Sequence, residues 1–454
     1  MKGLIMSIKK YILSVAFLLF ANAFSLQAYQ LSGPVGFDKI LPVRERAEIQ
    51  NEWLRWRFDN ILPQIMRNTE IDLWLVINRE YNEDALYFTL VPQPTVYSYR
   101  TTILMFHDRG GQLGVERLSA SDHGMSDWYK GAFTDRSKKQ FENLAEIIKK
   151  INPKRVGINV SETWHLADGL NATMKKRLED SLGPEFSKRL VSAEKLCVDW
   201  LQIRSPQELE TYKQICRIAH EIIREGSSQK YITPDVTTVD DIRWWFKQRV
   251  VELGLDTWFV PICDIQRKKE DAERYKDNPD VIRRGDLIHC DFGIKYLGLC
   301  TDMQWHIYVC RENEDDAPDG LKNALQGTLK FGEILTGEFK EGLTGDEIAR
   351  SATQKAEAAG INSMIYTHSL GNFGHSAGIR LDTRPLDQVA EENRDRTHYP
   401  VLLNTVYAIE YCCFYNIPEW NNQQVRISFE DDAALTKDGC NFLDGHQEEF
   451  FLIK

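Results

Sequence analysis

The chain has no cysteine before Cys197, no Cys-x-x-Cys pair and no excess of basic charge. After its N-terminus it has no apolar run long enough to cross a bilayer. Without paired cysteine spacings, a thiolate zinc site lacks its usual ligands. The nine cysteines are odd in number and confined to Cys197 onward, which argues against a disulfide framework. Cys290, Cys300, Cys310, Cys412 and Cys413 fall inside predicted strands, where free cysteine behaves as a small apolar residue. With 56 basic against 67 acidic residues, the net charge of −11 gives no bulk attraction to nucleic acid or anionic lipid. No nucleic-acid partner is expected.

The N-terminus carries Lys9 and Lys10, the apolar run Tyr11–Ala21, and then small residues at Ala21, Ala23 and Ala28. That order is the order of a secretory signal peptide. The run falls short of the roughly 20 residues a membrane span needs. We expect residues 1–28 to be removed, giving a periplasmic or secreted protein with no stable membrane anchor. Loss of Lys2, Lys9 and Lys10 takes the formal charge from −11 to −14. What remains exceeds one ordinary core and calls for more than one domain.

Residues 29–200 mix strand and helix signals without any convergent acidic or histidine cluster, as an α/β domain would. Ile71–Ile77 is a buried-strand run, and Tyr99–Phe106 with Leu113–Leu118 flank Arg109-Gly110-Gly111 as a hairpin. An amphipathic helix is expected from Asp135 through Ile151. At Ser205-Pro206-Gln207-Glu208 the cap, first and third positions of a helix carry Ser, Pro and Glu, a capping box that opens a second domain over 205–454. There the element order repeats. Helices to about Gly226 and from Thr238 precede a strand pair near Asp291. Helices near Leu321–Leu335 and from a second capping box, Thr344 to Glu347, precede strands at Thr405–Phe414 and Gln424–Leu435. Trp244 and Trp245, on the second helix, are expected in the core or at a domain contact.

The acidic residues carry the chemistry. In Asp286–Met303, a turn at Tyr296-Leu297 would set Asp291 opposite Asp302. Directly opposed like charges destabilise an antiparallel pair. Hard oxygen ligands at this spacing suit one or two divalent cations, so a metal-dependent hydrolase is expected. Alternation in Val406–Cys412 puts Glu410 on a face with Val406, Ala408 and Cys412, and Glu430 ends a second strand in the same way. Half-buried acids inside strands are costly unless paired or metal-bound. Between the two acidic sets lie His368 and His375, separated by glycines and small residues. His289 and His306 share the aspartates' hairpin face and are expected to pack or hydrogen-bond there.

In order, the series Asp291, Asp302, His368, Glu410, Glu430 resembles the ligand series of the pita-bread metallopeptidases. That family includes methionine aminopeptidase, aminopeptidase P, prolidase and creatinase. The motifs are His289-Cys-Asp291-Phe-Gly293, Thr301-Asp302-Met303, His368-Ser-Leu-Gly371 with His375, Ala408-Ile-Glu410, and Glu430-Asp-Asp before Leu435–Gly439. The resemblance implies an α+β chain. A pita-bread catalytic domain, with a duplicated helix-helix-strand-pair order, would follow a creatinase/prolidase-type N-terminal domain that also mediates homodimer pairing. It further implies two divalent metal ions, manganese first and cobalt or zinc next, with a bridging hydroxide as nucleophile. Asp291 would chelate one ion, Asp302 and Glu430 would bridge, and His368 with Glu410 would hold the second. Glu410 would shuttle the proton, and His375 would bind the substrate carbonyl or oxyanion. The substrate would be a peptide with proline second, or an Xaa-Pro dipeptide.

Three positions depart from the family pattern. Arg274 stands where aminopeptidase P and methionine aminopeptidase have a histidine, Trp305 stands near the usual arginine, and Ser428 stands two residues before Glu430. Trp258, Phe259 and Pro261 resemble a segment lining the substrate cleft. The alternatives are a degenerate pita-bread binding protein and a creatinase-like hydrolase that acts on a C–N bond without metal. The latter would have no use for five retained ligands.

Overall fold

The computed structural model describes residues 40–121, 127–133, 135 and 137–454. The signal-peptide expectation lies outside the described residues. Among these no helix is long and apolar enough to cross a membrane.

The first half of the described chain builds a six-stranded mixed sheet. Its order is Lys130–Gly131, Val115–Ser119, Thr101–Asp108, Leu73–Arg79, Val156–Ile158, Leu190–Ser192. Leu73–Arg79 lies near the middle and is buried on both faces, which accounts for its continuous apolar run. Leu73, Leu75 and Ile77 pack with Leu144, Ile148 and Leu178 from the helices Gln140–Ile151 and Ala172–Ser187. Trp74 and Val76 enter a second core with Phe58, Ile65 and Trp200. The Thr101–Asp108 and Val115–Ser119 strands pair antiparallel as the expected hairpin. The helix expected from Asp135 begins five residues later, at Gln140, and ends where Asn152 turns left-handed.

The second half opens with the helix Pro206–Gly226. Ser205 Oγ accepts from the Glu208 amide at 3.0 Å, and Glu208 Oε2 accepts from the Ser205 amide at 2.7 Å. The same reciprocal box opens Val239–Glu252 at Thr238/Asp241 and Gly345–Ala358 at Thr344/Glu347. Each cap contributes about 1 kcal/mol. The element order repeats as expected: two helices then Leu287–Phe292 and Met303–Val309, followed by Asp319–Gly337 and Gly345–Ala358, then Thr405–Ile417 and Gln423–Thr436.

These strands share one nine-stranded sheet whose central path has three strands on either side of one seam. Ile262–Gln266, Leu287–Phe292 and Met303–Val309 form one side; Gln423–Thr436, Thr405–Ile417 and Ser363–Ile365 form the other. They meet where Gln304 pairs with Glu430. Tyr407, Ile409 and Tyr411 pack against Phe331, Leu335, Ile348 and Ala352 of the covering helices. Alternation then leaves Ala408 and Glu410 on the other face.

All nine cysteines are free, and all but Cys440 are buried. Trp245 packs on Tyr231 and Phe246. Trp244, by contrast, is 67% exposed, so its core assignment is wrong. Its neighbour already fills the space against Gly226.

Candidate metal centre

The turn before the first acidic strand pair differs from expectation. Leu299 pairs with Tyr296 and Cys300 with Lys295, so Leu297-Gly298 is the two-residue turn, with φ of 52° and 75°. Positive φ at both central positions is the hairpin geometry that matches strand twist, and it wants glycine second. Glycine at 298 therefore moves the register by two: Asp291 faces Gln304, not Asp302. Asp302 lies just before the strand, its amide donating to Asp432 Oδ1 at 3.2 Å.

A lateral row results. Asp291 is opposite Gln304, Gln304 opposite Glu430, and Glu430 opposite Glu410. Cross-strand partners project from the same face, so four strands aim three carboxylates and an amide into one volume. His368 enters from the short strand His368–Leu370, opposite Ala408. Its Nδ1 lies 3.2 Å from the Ser369 carbonyl, which fixes the proton there and turns the Nε2 lone pair inward. Nε2 is 3.6 Å from Asp302 Oδ2, 3.5 Å from Glu430 Oε1 and 3.9 Å from Glu410 Oε2.

Such distances are too long for good hydrogen bonds. They suit atoms that share a cation: tetrahedral ligands about 2.1 Å from an ion stand about 3.4 Å apart. Asp302, His368 and Glu430 offer ligand atoms within 4.8 Å of one another. Four buried atoms here, Asp291 Oδ1, Asp302 Oδ1, His368 Nε2 and Glu430 Oε1, have no hydrogen-bond partner. Buried polar atoms are seldom left so. The donor set therefore fits divalent cations.

The electrostatics agree. Burial pushes Asp291 up to about 6. Burial and then the Asp291 charge push Glu410 up to about 8. Asp302 and Glu430 go well above the carboxylate range, first through burial and then through neighbouring carboxylates. His368 is driven well below its ordinary value by burial and next by His375, which keeps the imidazole a neutral donor. Without cations the cluster resists ionisation, as crowded buried acids do.

His375 is on the exposed side of His368, with ring centroids 4.7 Å apart. Trp258 backs it edge-on at 5.2 Å and is itself held by an indole donation to the Thr301 carbonyl at 2.8 Å. Gly374 admits that indole, since a Cβ there would come within 2.2 Å of it. Arg380 and Arg384 share Asp382 at 3.0 and 2.6 Å, and their charge lowers Glu410 against the burial effect.

Each departing position has a partner outside the cluster, and Ser428 shares the ligands' face, two residues along the strand from Glu430. Trp305 points to the opposite side, stacking on His220 at 4.6 Å and donating to Asp431 at 3.0 Å. Ser428 receives His306 Nε2 at its carbonyl, 2.9 Å away. Arg274 ends the short helix Lys269–Arg274 beside Tyr275. Sequence reasoning missed Gln304, which donates to Glu410 and Glu430 at 2.6 and 2.8 Å. Alternation from the neighbouring strand position of His306 was the available signal. Arg380 and Arg384 carried none, because their proximity depends on how the loop after His375 folds back.

A sequence profile described as Metallopeptidase family M24 matches residues 210–437. Methionine aminopeptidase of Thermococcus onnurineus is 24% identical over 192 residues, 41% of this chain and 61% of that protein. An uncharacterised peptidase of Bacillus subtilis is 22% identical over 313 residues, 69% of this chain and 79% of its own length. This chain thus spans less than two thirds of the first relative. The X-Pro aminopeptidase from Thermotoga maritima superposes with a TM-score of 0.61 at 16% identity, covering 86% of this chain and all of that one. That likeness is one of fold, and it bears out the pita-bread architecture with a preceding α/β part.

Proposed function

Because this chain belongs to metallopeptidase family M24, a family of hydrolases, we propose that it removes the N-terminal residue from peptides with proline second, or cleaves Xaa-Pro dipeptides. The observation that carries the reading is the set of four partnerless buried atoms converging from Asp291, Asp302, His368 and Glu430. Asp291, Asp302, His368, Glu410 and Glu430 would hold two divalent cations, with manganese the first candidate and cobalt or zinc next. Such cations, when bound, polarise a carbonyl and bring the pKa of water toward neutrality.

The chain's own groups supply the rest. Glu410, whose carboxyl takes up a proton readily in this buried setting, accepts one during attack and passes it to the leaving amine. His375 reaches the substrate from the open side and donates to the scissile carbonyl as negative charge develops there. Burial and then the Arg380 charge hold His375 below its ordinary value, so it acts as a neutral donor. Trp258 fixes its orientation. The export signal and pairing of copies through the α/β part belong to the same proposal.

Metal analysis together with turnover of Xaa-Pro peptides, for wild type and Asp302→Asn, tests it. Wild type should bind metal and turn over, and the variant should lose both. Absence of metal and turnover after manganese, cobalt or zinc addition sinks the reading. Metal without turnover favours a binding protein instead.

A further inference from the structure

Gln304 occupies a position where its neighbours leave it little freedom. It is 5% exposed, in the central row between Asp291 and Glu430. Its Nε2 donates to Glu410 Oε1 at 2.6 Å and Glu430 Oε2 at 2.8 Å, one N–H to each carboxylate. The remaining oxygens, Glu410 Oε2 and Glu430 Oε1, are the ones that face His368 Nε2. One amide thus sorts the oxygens of both glutamates.

A glutamine amide alone can turn over, and the reverse orientation would point its oxygen at two carboxylates. His289 prevents this: its Nε2 lies 2.9 Å from Gln304 Oε1 and donates to it. His289 is in turn held by Asp264, whose Oδ2 lies 2.8 Å from Nδ1; donating from both nitrogens takes the doubly protonated ring, which this carboxylate pairs with. Asp264 and His289 are direct partners across the outer strand pair, so the order Asp264, His289, Gln304 is built into the sheet register.

We propose that Asp264 and His289 lock the Gln304 amide so that one preset oxygen from each of Glu410 and Glu430 faces the metal centre. All three are positioning residues. The inference rests on the metal-centre reading above. It adds that the outer strand Ile262–Gln266, which contributes no ligand, governs metal affinity.

Cobalt(II) titration of the full chain, followed by its visible absorption bands, tests this. Gln304→Ala and His289→Ala should each weaken cobalt binding about 10- to 100-fold and shift the bands, the usual effect of losing an outer partner. The double variant should be no weaker than Gln304→Ala, because residues acting in one chain are not additive. Asp264 is on the rim with its side chain 41% exposed, so Asp264→Asn leaves packing intact and should weaken binding in the same direction. Circular dichroism verifies folding of each variant. If wild type binds cobalt while His289→Ala and Asp264→Asn match it in affinity and spectrum, or if the two alanine effects multiply in full, the relay is overturned. If wild type takes up no cobalt, the metal-centre reading fails first and the relay with it.

Discussion

Glu410, half-buried, and Glu430, fully buried, face each other directly across one antiparallel strand pair, and the Gln304 amide donates to both carboxylates. Like charges so placed destabilise a sheet. Metal removal should therefore lower the melting temperature, and manganese at about 100 times its Kd should restore about 2.7 kcal/mol. Glu430→Gln should raise the stability of the metal-free protein and abolish the response to manganese. Differential scanning calorimetry with and without chelator checks both.

His375 sits on the open side of the cluster, its ring edge-on to that of His368. His375→Ala should reduce kcat about 10²- to 10³-fold, the effect of losing one donor to a developing oxyanion. Metal content should stay at the wild-type value. Steady-state kinetics paired with elemental analysis decides, and equal loss of metal and rate would reassign His375 as a ligand.

Glu208 joins two parts of the chain. It closes the Ser205 capping box, and its carboxylate takes Arg57 at 3.0 Å and Arg204 at 3.1 Å, all buried. Removing one member of a buried charged group strands the others. Glu208→Ala should cost about 3–5 kcal/mol in urea unfolding. A change under about 1 kcal/mol, the size of an exposed pair, would contradict this.

His220 predicts a pH dependence. Burial alone would lower it, but Asp431 at 2.7 Å and Asp444 at 3.1 Å together raise it to about 9. Asp431 itself is pushed up by burial despite this partner, so the imidazolium is the member whose charge the site secures. A raised folded-state value means the stabilisation is whole below about 6.5 and lost as pH rises through about 9, an effect of roughly 3 kcal/mol. The stability gap between wild type and His220→Gln should therefore shrink across that window. A gap that widens would reverse the assignment.

Much of this site was legible because its strands alternate. Glu410 and Glu430 announced themselves as acids on apolar faces, and the capping boxes at Ser205 and Thr344 marked two helix starts to the residue. The hairpin register was misjudged by two because turn type, not hydrophobicity, sets it, and Gly298 should have been placed at the left-handed second position. Gln304 escaped notice because a neutral amide carries no charge to explain. Its role exists only once Glu430 and Asp291 flank it, and that depends on how distant strands dock. Trp305 and Ser428 looked like losses next to the ligands, yet their side chains or carbonyls serve His220 and His306 instead.

The two halves of the nine-stranded sheet meet at a single paired step, Gln304 opposite Glu430. Considered as a mechanical joint, that seam has Asp291 and Asp302 on one plate, with His368, Glu410 and Glu430 on the other. Any cation held by both sets is a rivet through the joint. Its withdrawal would leave the seam to the hydrogen bonds that cross it, from the Asp302 amide to Asp432, from Trp305 to Asp431 and from His306 to the Ser428 carbonyl.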